Sequence, residues 1–100
     1  MEQRDSRYDL IKLRLLEGKI QSFLDIFLFI PKSVVAADLG KNIGRFTELM
    51  NRIEKFTLEE FLLIGGYCKL TVSETIKLVE VEYLKKHSNS PMSNSTSEIP

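Results

Sequence analysis

The feature that most narrows what this chain can become is its helix punctuation. Gly18 and Gly40 stand where apolar helical periods stop, and Pro31 closes another run. Asn42, Thr57-Leu58-Glu59-Glu60 and Thr71-Val72-Ser73-Glu74 stand where new periods begin. A cap side chain accepts backbone N–H groups that a helix start leaves open, and a glycine takes the left-handed turn that ends one. A chain cut this often makes short helices joined by tight turns, and these hide their apolar faces only by packing on each other. With 100 residues, 43% of them hydrophobic and 28% charged, the expectation is one all-α domain.

Read along the chain, Tyr8, Ile11 and Leu15 recur at helical spacing, with Leu10, Leu13 and Leu16 widening the face, so a helix is predicted over 6–17. Ser22-Phe23-Leu24-Asp25 resembles a capping box. The run from Ile26 to Ile30 that follows suits a buried strand as well as a helix by periodicity. The cap and the lack of a partner strand favour a short, wholly buried helix ending at Pro31. Ser33 is placed to cap a helix over 34–39, Asn42 one over 43–52, Thr57 one over 58–68 and Thr71 a last one. That last helix is expected to carry Val72, Ile76, Val79 and Tyr83 on one face, with Leu78, Val81 and Leu84 around its side. After His87 the composition changes: residues 88–100 hold five Ser, one Thr, two Asn and two Pro. Such a stretch has too little apolar surface to offset its ordering entropy and is expected to be a disordered tail. The folded unit is then 6–87.

The stretch over 33–52 carries the functional signal. Two short helices meet at a turn containing Gly40, the design of a helix-turn-helix. Ala36 is small where the second helix crosses the first, and Val35, Leu39, Phe46 and Leu49 fill the angle between them. At 100° per residue, the outward face of the second helix holds Gly44, Thr47, Glu48 and Asn51, flanked by Arg45 and Arg52.

This stretch resembles the lambda-repressor-like, Cro/repressor (XRE-type) helix-turn-helix family. Thr57 to Glu74 is similar to the family's fourth and fifth helices, a capped leucine-rich helix followed by a valine-serine turn. The likeness spans about residues 23–84 and makes 6–17 an N-terminal addition to a five- or six-helix bundle. It implies a small DNA-binding transcriptional regulator whose helix over 43–52 enters the major groove of double-stranded DNA. In that mode Asn51 bonds adenine, Glu48 accepts from cytosine N4 and Thr47 touches a thymine methyl, with Gly44 on the same DNA-facing side. Ser33 and Asn42 hold phosphates at helix starts, and Lys32, Lys41, Arg45, Arg52 and Lys55 supply charge. The chain departs from the family pattern at Lys41, where the turn is usually apolar, and at Lys69, where a second glycine usually closes the leucine-rich helix. Glu48 occupies a reading position often basic or amide.

Charge gives this reading little help. Lys plus Arg and Asp plus Glu both number 14, so bulk attraction to nucleic acid is excluded as the main force. Residues 31–56 carry five basic side chains against Asp38, Glu48 and Glu54. The alternative is a helical protein-interaction module that lacks DNA binding, and Leu78, Val81 and Leu84 are its candidate homodimer contacts. An enzyme is not expected. One His and one Cys make no familiar zinc set, and no nucleophile triad, phosphate loop or dinucleotide fingerprint is present. No metal, cofactor or small-molecule substrate is implied. A lone Cys68 forms no intrachain disulfide, and no signal-peptide core or run of about 20 apolar residues appears, so a cytoplasmic, membrane-free protein is expected. Cys68 is read as buried filler, His87 as solvated, Gly65-Gly66 as a close helix contact, and Glu80 and Glu82 as a wet helix face.

Overall fold

A computed structural model of the chain describes residues 4–88. Among these residues every regular element is helical: α1 (Ile11–Leu16), α2 (Lys32–Asp38), α3 (Ile43–Asn51), α4 (Leu58–Tyr67) and α5 (Val72–Ser88). Three 3-10 turns, Ser6–Leu10, Phe23–Leu28 and Ile53–Lys55, complete the order. Of the expected tail over 88–100, Ser88 instead closes α5, and residues 89–100 lie outside the described residues.

The caps sit where the sequence placed them, with one exception. Asn42 accepts the Arg45 amide at 2.8 Å. Thr57 and Glu60 exchange bonds across the start of α4 (2.9 and 3.1 Å), and Thr71 and Glu74 do so at the start of α5 (2.9 and 3.0 Å). The exception is Ser33. Helix α2 begins two residues earlier than expected, Pro31 is its N-cap, and no side chain caps it. Proline's fixed φ ends the preceding turn and starts the next helix in one residue, which leaves Ser33 exposed inside the first turn of α2.

The apolar run before Pro31 is a 3-10 turn and not a wholly buried α-helix. Asp25 Oδ2 accepts the Gln21 and Ser22 amides at 2.9 and 3.1 Å and so fixes its start. Three residues per turn stack positions three apart. Phe23 and Ile26 therefore share the buried edge, while Leu28 falls opposite and is 73% exposed. Phe23 belongs to a ring network that binds the elements together: it meets Phe61 edge-on at 5.0 Å and Phe56 at 6.0 Å, and Phe46 meets Phe27 at 5.6 Å and Phe56 at 5.7 Å. Each such pair adds roughly 0.5–1.5 kcal/mol beyond its area.

The N-terminal segment is part of the core rather than an appendage. Tyr8 and Ile11 are fully buried. The Tyr8 hydroxyl donates to Asp38 Oδ2 at 2.7 Å, and Lys12 pairs with Glu74 Oε1 at 2.7 Å. Burial, reinforced by the Asp38 carboxylate, pushes the Tyr8 phenol well above its ordinary range. The widened leucine face does not pack in full, since Leu16 is 72% exposed and Leu10 and Leu13 lie near the surface.

Helix α5 is rotated by one residue from the face its apolar pattern suggests. Its buried stripe is Thr75, Leu78 and Glu82, while Val72, Ile76 and Tyr83 are exposed. Polar requirements decide this. A Cβ on Gly65 would lie 2.0 Å from Thr75 Oγ1, so α4 and α5 cross backbone against side chain at that point. Glu82 accepts the Leu24 amide at 2.9 Å, and Lys85 reaches Ser22 Oγ at 3.0 Å. A part-buried amide without an acceptor costs about 1–3 kcal/mol, and the Thr75–Gly65 crossing favours the same rotation. Two expectations are corrected here. Leu78 is core and unavailable for a homodimer contact, and Glu82 is buried rather than wet. Of the glycine pair, Gly65 makes the close contact and Gly66 faces open space.

Candidate nucleic-acid interface

The two-helix unit forms as its residues require. Helix α2 ends in a Schellman turn: the Lys41 amide donates to Ala36 O at 2.9 Å and the Gly40 amide to Ala37 O at 3.1 Å, with Gly40 at φ 76°. Ala36 and Val35 are buried below the crossing, and Phe46 and Leu49 anchor the inner face of α3. Leu39 packs against the same cluster.

With that inner face fixed, the outer one points to solvent. Gly44, Arg45, Glu48 and Asn51 on α3 are exposed, as is Arg52 at its C-cap, and Thr47 is half-buried. Arg45, Glu48, Asn51, Arg52 and Lys55, with the edge of Leu49, line one cleft of about 500 Å³. These five predicted site residues are therefore brought together. Lys32 and Ser33 stand apart, at the start of α2. The oxygen of the Asn42 side chain is committed to its own helix.

Much of the basic charge is answered from within. Lys41 turns to Glu60 of α4 at 2.7 Å, with both side chains mostly covered, and is withdrawn from any surface patch. Burial alone would raise the Glu60 carboxyl, but the Lys41 and Thr57 bonds outweigh it and hold it below the ordinary range. Arg45 pairs with Glu48 at 3.3 Å and Arg52 with Glu54 at 3.4 Å. Both pairs are exposed, where such contacts contribute about 0–1 kcal/mol and exchange readily for a better partner. The Glu54 carboxyl is lowered first by its own backbone amide, then by Arg52 and Lys86.

Lys86 is the residue that sequence reasoning missed. It reaches from the last turn of α5 and donates to the carbonyl oxygen of Asn51, at the C-terminal end of α3. The only trace in the sequence is the basic run Lys85-Lys86-His87, which reads as an ordinary helix end.

A second, apolar hollow of about 290 Å³ lies between Ile53, Phe56 and Phe61 on one side and Ile76, Val79 and Tyr83 of α5 on the other, with Glu54 and Glu80 at its rim. No described helix is long and apolar enough to cross a membrane. Comparison with known proteins finds no matching family model, no matching curated protein and no matching solved structure.

Proposed function

We propose that this chain is a small non-enzymatic regulator that binds duplex DNA by laying the outer face of α3 in the major groove. The observation that carries the reading is the division of α3. Phe46 and Leu49 fix its inner side in the core, while Arg45, Glu48 and Asn51 are exposed on its outer side beside a cleft that also holds Arg52 and Lys55. On approach to DNA the exposed Arg45–Glu48 pair opens, leaving Glu48 to accept from cytosine N4 and Arg45 to meet a phosphate, while Asn51 is free to bond adenine. The role is occupancy of a site, with no bond made or broken and no cofactor. With Lys41 spent on Glu60, few phosphate contacts remain, so the salt dependence of binding is shallow.

Selection from a random duplex pool, followed by filter binding, tests this. The wild type is expected to enrich a defined sequence, and Asn51→Ala with Arg45→Ala to lose it while keeping its helical circular-dichroism spectrum. No retention of any duplex at low salt would end the proposal.

A second reading, a protein-interaction module, is favoured by the exposed apolar seam of Val72, Ile76 and Tyr83 on α5, with Leu84 nearby. Charged substitutions at Ile76 and Tyr83 that abolish function, together with α3 variants that leave it intact, would replace the DNA reading with this one. If the seam pairs two copies, each dimer presents α3 twice, and a spacing of about 34 Å would match a palindromic site.

A further inference from the structure

We infer that Lys86 of α5 joins Arg52 and Lys55 in a phosphodiester-binding edge at the C-terminal end of α3, so that α5 as well as the two-helix unit grips the backbone of a duplex. This rests on the DNA reading and adds a contact from outside the two-helix unit. The last carbonyls of a helix carry its negative end and repel phosphate. On α3 that end is covered, because the Lys86 ammonium sits on the Asn51 carbonyl. Asn51 also lines the cleft that holds Arg45, Arg52 and Lys55, and the bond to its carbonyl brings Lys86 to the edge of that cleft as a fourth cation. Against them stand Glu48 and Glu54, and each is already engaged, by Arg45 and by Arg52. Four cations against two carboxylates leave an excess of two positive charges, with Glu54 shared between Arg52 and Lys86. An ammonium has three donors, and Lys86 spends one on Asn51, leaving two for phosphate oxygens.

The test is the salt dependence of duplex binding for the full chain and its Lys86→Gln, Lys86→Arg, Lys55→Gln and Lys77→Gln variants. Each lost phosphate contact lowers the slope of log affinity against log salt by about 0.9. Lys86→Gln and Lys55→Gln are each expected to lose about one such step and to weaken binding several-fold, evenly across sequences. Lys86→Arg keeps the slope, and Lys77→Gln, exposed elsewhere on α5, does not change it. Weaker binding at unchanged slope in Lys86→Gln would make the lysine a mere cap of α3 and overturn the inference. A normal slope in Lys55→Gln, a surface change with no packing role, would overturn it as well. In both cases sequence-selective binding by the wild type leaves the DNA reading standing. A wild type that binds no duplex at all removes both.

Discussion

The turn between α2 and α3 and the turn between α4 and α5 have the same backbone and opposite chemistry. Each is a Schellman closure in which the next helix is capped two residues beyond the left-handed position, by Asn42 in one and Thr71 in the other. The left-handed residue is Gly40 (φ 76°) in the first and Lys69 (φ 65°) in the second. The residue after it is Lys41 in the first, tied to Glu60, and Leu70 in the second, which is buried. The apolar contact that normally accompanies this turn is therefore present only where the glycine is missing. The first turn has a relaxed backbone and a polar anchor, the second a strained backbone and an apolar one. The two crossings differ in the same spirit. Ala36 suffices beneath α3, but only Gly65 fits beneath α5. Lys41 and Lys69 thus belong to two workable solutions of one geometric problem.

Substitutions can break this symmetry in order of size. Gly65→Ala drives a methyl into Thr75, whose Oγ1, Cβ and Cγ2 all lie within 2.9 Å of the new carbon. Overpacking of this kind costs about 1–3 kcal/mol, read as a lowered urea midpoint. Exchanging the turn residues comes next and has opposite signs. Gly40→Ala forces a side chain into the left-handed region and is expected to lose about 1 kcal/mol, whereas Lys69→Gly releases the same strain and gains somewhat less. Equal and same-signed shifts in thermal midpoint for the two would show that Lys69 carries no strain.

The smallest effect is electrostatic. The Glu60 carboxyl lies below its ordinary value of 4.5, so its pairing with Lys41 stabilises the fold fully above that pH and is lost as pH falls through the depressed value. Glu74 behaves alike through Lys12. Glu60→Gln should flatten the acid side of the stability profile by under about 1 kcal/mol and leave neutral-pH stability lower by the same amount.

Much of this architecture was legible because helix ends are local. Asn42, Thr57 and Thr71 act on amides three residues away, and Gly18 and Gly40 act on their own φ, so no distant partner is needed to read them. The errors fall where the deciding partner is remote in sequence. The apolar period of α5 pointed to Val72, Ile76, Val79 and Tyr83, but the helix rotates to seat Thr75 against Gly65 and to bring Glu82 to the Leu24 amide. Ser33 was displaced as a cap because Pro31 starts α2 without help. On the candidate site, the exposed face of α3 followed from its 100° period. The diversion of Lys41 to Glu60 and the arrival of Lys86 depend on tertiary contacts that no spacing encodes.

Cys68 sits immediately before the strained Lys69, fully enclosed, with burial pushing its thiol up to about 12. A thiol in that condition ignores alkylating reagents until the corner around it comes apart. The chain thus carries its own stopwatch at the seam between its last two rods. The speed of trapping at this single sulfur counts how often the corner springs open, with no label engineered in.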